Sequence, residues 1–337
     1  MAITPNPRIG KPNSVTPMRR RSSIRGGTHS YIQRSEGSCS EVQRRALLEI
    51  RNSTDDFSLS NWEGEDCCQF EGVDCEFFPG LGAISLSRKK DSKTWYPNVT
   101  LFTVLQDLIE MGLSGVRIGG PLQAFCELKK LKKLQWLDLS NNVLEGSIPT
   151  CFGTMKSLYK LDLSNNRLSG NIPLSIFINQ SRFGVFDVSN NNLEGYVPFS
   201  ILADQAGLFY IDLSKNYHLE VETESPSWVP TFALIYLGLG NCNLNEKSGH
   251  VVPSFISSQP SLQWLDLSHN SLEGSIPCSL FYNNSITGLF LRGKTLRPFL
   301  LGAMEVMQLH RCLSHSTYRP IISKGLCLKT WVLFSQY

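Results

Sequence analysis

The 337-residue chain contains no run of about eighteen apolar residues, so nothing in it is long enough to cross a bilayer as a helix. Its first 38 residues lack the apolar stretch of roughly 7 to 15 residues that a secretory leader needs. Acid is also missing there: residues 1–35 hold seven Lys and Arg and no Asp or Glu. That Arg- and Ser-rich composition is the kind found in organelle transit segments, although its prolines and glycines interrupt any continuous amphipathic helix. Residues 1–38 therefore read as a disordered basic segment.

Catalytic patterns are equally scarce. The six histidines (29, 218, 250, 269, 310 and 315) are dispersed, and no GxGxxG or Walker-type loop follows a strand. No nucleophile, base and orienter converge, which excludes the common hydrolytic arrangements and leaves a non-catalytic protein without a cofactor as the expectation. His310, Cys312, His315 and Cys327 have irregular spacing, so no metal site is expected. Basic residues are scattered beyond residue 35, where the recurring charge is Asp, and no nucleic-acid partner is expected.

What the chain does have is a period. Six-residue cores begin at Leu137 (LDLSNN), Leu161 (LDLSNN), Phe186 (FDVSNN), Ile211 (IDLSKN), Leu237 (LGLGNC) and Leu265 (LDLSHN), stepping by 24, 25, 25, 26 and 28 residues. A fixed step in the twenties, with apolar residues at fixed offsets, predicts a solenoid. In each coil a short strand alternates, sending Leu137 and Leu139 inward and leaving Trp136, Asp138 and Ser140 outward. Stacked coils then place their strands in one parallel sheet.

The residues Asn142, Asn166, Asn191, Asn216 and Asn270 turn inward after the strand, where an amide can satisfy backbone groups that the bend removes from the ladder. Cys242 occupies the same column and reads as structural. Gly146, Gly170, Gly195 and Gly274 supply a tight turn, and Pro149, Pro173, Pro198 and Pro277 end the segment after it.

Boundaries follow from where the pattern starts and stops. Residues 39–80 form a small cap: Ser40 and Gln43 make a capping box, and Val42, Ala46, Leu47 and Ile50 fall on one helical face. Cys39, Cys67, Cys68 and Cys75 predict two disulfides, with Cys39 and Cys75 each bonded to one of the adjacent pair and the connectivity left open. Cys126 and Cys151 lie 25 residues apart, at nearly equivalent places, and predict a coil-to-coil disulfide. Repeats occupy residues 81–293, with a degenerate restart at Leu108, Met111 and Leu113 and a ninth strand at Leu289 and Leu291. Residues 294–337 lack the pattern and are expected to be poorly ordered, leaving the last coil open, as in an interrupted protein.

Ten cysteines and four N-X-Ser/Thr sequons, at Asn52, Asn98, Asn179 and Asn283, favour an oxidising, glycosylating environment.

The sheet face is the expected binding surface. The outward position before each first core residue reads Glu110, Trp136, Lys160, Val185, Tyr210, Tyr236, Trp264 and Gly288, with Tyr159 and Phe209 one residue earlier in their coils. Aromatics along a sheet suit contact with protein, peptide or sugar; the competing expectation is that they pack on one another. The ligand-binding candidates are Trp136, Tyr159, Lys160, Phe209, Tyr210, Tyr236 and Trp264. The next outward column (Asp138, Asp162, Asp187, Asp212 and Asp266) is expected to bond the Ser two residues on rather than a ligand.

The cap CSEVQRRALLEIRNSTDDFSLSNWEGEDCCQFEGVDC and the NxLxGxIP extension of each repeat closely resemble plant extracellular leucine-rich-repeat receptors. DCC…GV.C followed by ISLSRKKDSKTWYPNVTLF as an expanded first repeat looks like a plant receptor-like protein, the group without a kinase domain. The resemblance covers about residues 39–293. It implies an α/β solenoid: a right-handed leucine-rich-repeat superhelix with a parallel concave β-sheet and a disulfide-stapled helical N-cap. It also implies an ectodomain on the extracellular side of the cell membrane that binds an extracellular peptide, glycan or protein and signals through a co-receptor or adaptor receptor kinase. Membrane association would come only through segments that this chain lacks. The alternatives are a secreted inhibitor of cell-wall-degrading enzymes and a truncated product without independent function.

Overall fold

The computed structural model describes residues 39–54, 59, 62–75, 81–87, 93–178, 183–225, 228–273 and 286–291, and the backbone of 331–332. Gly274, Pro277, Cys278, Asn179 and Asn283 lie outside them, as do the expected basic segment 1–38 and nearly all of 294–337.

The cap begins with a helix, Glu41–Asn52, started as its sequence predicts: Gln43 N–H donates to Ser40 Oγ at 3.3 Å, and Ser40 N–H donates to Gln43 Oε1 at 2.9 Å. Ala46, Leu47 and Ile50 are buried. Val42 is not; it stands 63 % exposed, and Gln43 takes the inward place. The capping bond explains the exchange. It draws Gln43 toward the core side, and at 100° per residue Val42 then points away.

Under the helix Trp62 is fully buried, stacked on Phe70 with ring centroids 5.4 Å apart, and its indole N–H donates to the Glu71 carbonyl at 2.9 Å. The adjacent cysteines are split between two partners. Cys39 bonds Cys67, and Cys68 bonds Cys75.

From the cap onward the strands Ala83–Ser85, Glu110–Gly112, Trp136–Asp138, Lys160–Asp162, Val185–Asp187, Tyr210–Asp212, Tyr236–Gly238, Trp264–Asp266 and Gly288–Phe290 stack in parallel. Val73–Asp74 closes the cap side by pairing antiparallel with Ala83–Ser85. At the other side Trp331–Val332 pairs parallel to Gly288–Phe290, a neighbour for which the repeat pattern holds no signal. The inward leucines of these strands are almost completely buried and join one continuous core from Leu47 to Leu289. At about 25 cal/mol per Å² of apolar area, that core is the main stabilising term.

A second, six-stranded sheet, for which the repeat pattern carries no strand signal, flanks the coils. It comprises Gly119–Pro121, Val143–Gly146, Arg167–Asn171, Asn192–Pro198, His218–Glu222 and Asn243–Leu244, parallel throughout. Its strands include the glycines that read as turns, Gly146, Gly170 and Gly195, and Pro198, whereas Pro149 and Pro173 follow their strands. Gly146, Gly170 and Gly195 do adopt φ of 80°, 72° and 83°, but within the ladder rather than between elements. The expanded first repeat joins this side: Trp95 is bridged to Ile118, and its indole donates to Ser53 Oγ at 3.1 Å, tying the insertion to the cap helix.

Between the sheets runs the asparagine column. Asn191 Nδ2 donates to the carbonyls of Leu163 and Val188, both at 3.0 Å, and its Oδ1 accepts from Leu168 N–H at 2.9 Å. Asn142, Asn166 and Asn216 repeat the arrangement coil after coil. Asn270 bonds Leu239 and Leu267 in the same manner, but its Oδ1 accepts from Cys242 N–H. At Cys242 the thiol donates to the Leu213 carbonyl at 3.2 Å, and burial pushes its pKa up. The thiol thus replaces an amide and has little tendency to ionise.

The residue just before each column position adopts left-handed φ: 56° at Asn141, 55° at Asn165 and Asn190, 58° at Lys215 and 54° at His269. Asn tolerates this conformation because its short side chain bonds locally, whereas Lys carries the ordinary penalty. Replacing exposed Lys215 with Asn is therefore expected to stabilise the chain by roughly 0.5–1 kcal/mol. Asn190 already reaches Asn165 in this way at 2.8 Å. An unchanged or lowered urea midpoint for Lys215→Asn would show that the strain is relieved elsewhere.

Candidate ligand-binding face

The outward side of the first sheet carries two kinds of column, aromatic and acidic, and register decides what each can do. The pairing Trp136↔Lys160↔Val185↔Tyr210↔Tyr236↔Trp264↔Gly288 places these residues in one row across the coils. Tyr159 and Phe209 occupy the row before it.

The rings gather into three groups. Trp136 stacks on Tyr159 (centroids 6.3 Å, 26° between planes), and Tyr159 leans on Phe209 at 6.2 Å. Tyr210 and Tyr236 stack at 4.3 Å and 14°. Trp264 stacks on Phe290 at 6.0 Å. Glycines make the close approach possible. A Cβ at Gly184 would lie within 2.5 Å of the Tyr159 ring, and one at Gly288 would lie 2.4 Å from Trp264. Each ring lies across a neighbouring coil that has no side chain to block it. Neither the role of these glycines nor that of Phe290 was read from the sequence; a Gly inside an otherwise aromatic column was the available signal.

Exposure separates the candidates. Trp136, Tyr159, Phe209, Tyr210 and Trp264 are half-buried, with part of each ring open to solvent. Tyr236, expected to project outward, is 9 % exposed. Its hydroxyl donates to Asp212 Oδ2 at 3.1 Å, as that of Tyr210 does to Asp187 Oδ2 at 3.1 Å. Lys160 is 14 % exposed and lies between Asp138 at 3.3 Å and Asp162 at 3.8 Å, so its charge is spent within the sheet.

The aspartates are built into the repeat. Asp138 Oδ1 accepts from the backbone N–H of Ser140 at 3.1 Å and from its hydroxyl at 2.7 Å, and Asp162 does the same with Ser164. Asp187, Asp212 and Asp266 accept from the N–H of Ser189, Ser214 and Ser268. Asp187 and Asp212 are buried beneath the tyrosines. In the coil LGLGNC the Asp and Ser are both Gly, and the flanking carboxylates lean into the space. A Cβ on Gly238 would lie 2.3 Å from Asp212 Oδ1, and one on Gly240 would lie 2.6 Å from Asp266 Oδ1.

Burial dominates the electrostatics here. It raises the pKa of Asp162, with Asp138 adding to the rise and Lys160 opposing it. Burial likewise raises Asp266 against the hydrogen bonds from Ser268, and raises Glu110 together with nearby Asp74. The phenols of Tyr210 and Tyr236 are pushed up by burial first and then by the aspartates beside them. Asp187 and Asp212 are thus covered, while Asp138, Asp162 and Asp266 stay partly exposed beside the half-buried rings.

Elsewhere, Cys126 is bonded to Cys151, linking two neighbouring coils. Asn52 and Asn98 are exposed, and Asn98 Oδ1 accepts from Thr100 N–H and its hydroxyl. Among the described residues no three His, Cys, Asp or Glu side chains gather as metal ligands, and no helix is long and apolar enough to cross a membrane.

Comparison with known families agrees with this architecture. A leucine-rich-repeat N-terminal domain matches residues 40–76, and leucine-rich-repeat families match residues 128–168 and 261–283. The chain is a leucine-rich-repeat protein. Its relatives in Arabidopsis thaliana include Receptor-like protein 1, 35 % identical over 188 residues (54 % of this chain), and Receptor-like protein 14, 40 % identical over 162 residues (48 % of this chain). The chain spans 15 % and 16 % of the length of those two proteins. Solved structures share the fold at lower identity. The Arabidopsis receptor kinase HAESA ectodomain, in complex with an IDA peptide hormone, matches with a TM-score of 0.53 at 24 % identity, over 74 % of this leucine-rich-repeat chain and 41 % of its own. A plant ice-binding protein matches at 0.55 and 22 %, over 75 % of this chain and 86 % of its own.

Proposed function

We propose that this leucine-rich-repeat chain is the ligand-recognition part of a plant receptor-like ectodomain, non-catalytic and extracellular. Its ligand is a peptide or protein laid across the first sheet, with a glycan as the alternative, and its signal passes through a partner receptor kinase at the plasma membrane. The observation that carries this reading is the half-open ring ledge of Trp136, Tyr159 and Phe209, flanked by Trp264 further along. Aromatic anchors of this kind dominate binding at protein surfaces. The kinship with receptor-like proteins, three disulfides and exposed sequons at Asn52 and Asn98 support an extracellular setting.

Lys160, Tyr210 and Tyr236 act in this reading as supports that fix the ledge rather than as direct contacts. The test is capture of peptides and glycans from arrays by the secreted chain. Trp136→Ala is expected to weaken capture at least about tenfold, the range of an aromatic hot spot, while its melting temperature falls by only a few degrees. Trp264→Ala is expected to lose capture too, with a similarly small stability cost, because its ring packs on Phe290 much as that of Trp136 packs on Tyr159. Unchanged capture with lowered melting temperatures would reduce the rings to a packing ladder and sink the proposal.

A further inference from the structure

At the cap side of the aromatic ledge the sheet face has a gap that its own side chains leave open. Pairing sets Glu110 between Ala83 and Trp136 in one outward row, and Gly112 between Ser85 and Asp138 in the next. Ser85, Glu110, Trp136 and Asp138 therefore border a position that carries no side chain. At Gly184, Gly238 and Gly288 a neighbouring Tyr159, Asp212 or Trp264 side chain leans into the equivalent space. At Gly112 none does: the nearest atoms to a Cβ built there are those of the Ser85 side chain, from 3.3 Å, and the Ile84 carbonyl oxygen at 3.8 Å. Beside the gap, Glu110 is half-buried, and among the described residues no hydrogen bond or ion pair reaches its carboxylate. Burial and then nearby Asp74 raise its pKa, opposed by Lys160 from beyond Trp136. Lys160 is itself held between Asp138 and Asp162.

A half-buried carboxylate without a hydrogen-bond donor costs stability, and the coil does not require one, since the same row holds Ala83, Val185 and Tyr210 in other coils. We propose that this gap receives an arginine of the ligand, with Glu110 as its hydrogen-bonding partner and the Trp136 ring as the surface beside which its guanidinium lies. The inference rests on the sheet-face reading and adds the chemistry of one anchor to it. A guanidinium is planar, keeps its charge and presents a fork that fits one carboxylate, and indole is the ring that attracts a cation most strongly. Asp138 already accepts from Ser140 and Lys160, so it contributes charge rather than an open acceptor. An acidic side chain placed there would meet Glu110 and Asp138 with like charge, and an apolar one would bury Glu110 without a partner.

The probe is an array of random dodecapeptides offered to the full chain, with each captured sequence resynthesised in an arginine and a citrulline form. Citrulline keeps the shape of arginine and loses its charge. The exchange is expected to weaken binding to the parent chain at least about tenfold, the range of a charge-assisted hydrogen bond. On Glu110→Gln the same exchange is expected to cost about twofold or less, because the partner it would lose is already gone. Gly112→Ala, which needs only a small shift of the Ser85 side chain, fills the gap and is expected to weaken the arginine form at least about threefold. Equal citrulline losses on the parent and Glu110→Gln chains would overturn the inference and leave the sheet-face reading standing. So would captured sequences that depend on Trp136 and contain no arginine. Capture of nothing that depends on Trp136 would sink both readings.

Discussion

Asn216→Ala is expected to lower the stability of the repeat region by roughly 3–5 kcal/mol, because it strips three buried backbone groups of their partner at once. Asn216 is fully buried; its side chain bonds the carbonyls of Val188 and Leu213 and the N–H of Leu193. Alanine supplies none of these bonds. Asn165→Ala is the control. That residue precedes the column, is half-buried, and bonds mainly to side chains, so the expected loss is about 1 kcal/mol. Urea unfolding followed by tryptophan fluorescence separates the two. Equal losses would mean that the column does not satisfy the backbone in the way its geometry indicates.

Removing the disulfide Cys39–Cys67 by paired Ser substitutions is expected to cost about 3–4 kcal/mol, from the chain entropy of the loop it closes. The bond spans 28 residues, whereas Cys68–Cys75 spans only 7, for which the same argument gives about 2.4 kcal/mol. The order of effects is therefore the test: loss of the first bond should lower the guanidinium midpoint more than loss of the second. Trp62, buried within that loop and stacked on Phe70, reports on the cap by fluorescence once the other five tryptophans are replaced by Phe. A larger effect from Cys68→Ser with Cys75→Ser would show that strain or local packing, rather than loop closure, sets the stability of the cap.

Those features were legible because they are periodic or locally signalled. The inward Leu pair, the Asn column and the Asp–Ser bond recur in most coils, the coil LGLGNC with Gly238, Gly240 and Cys242 excepted, so one coil largely interprets the next. The second sheet was not legible. Its strands, such as Val143–Gly146 and Asn192–Pro198, each carry a Gly at positive φ, which locally favours a turn; only lateral stacking of coils turns them into a ladder. Val42 was misplaced because helical spacing alone does not say which of two adjacent faces the capping bond pulls inward. At the candidate site, alternation identified which side chains leave the core but not how far they emerge. Tyr236 points outward from its strand and is still covered, because Gly238 in the same coil lets Asp212 move in to meet its hydroxyl. Exposure there depends on contacts between coils, which a single sequence does not display.

The bond between Cys126 and Cys151 also determines how the molecule responds to tension. Stretched from its two ends, an unlinked stack can pay out chain one coil at a time. Here the 25 residues spanned by the bond form a closed ring that tension bypasses. At about 3.5 Å per residue, that withholds close to 9 nm of contour length until the sulfurs part. Reduction therefore lengthens the tether, and two neighbouring coils that otherwise extend separately behave as a single, shorter spring while the bond holds.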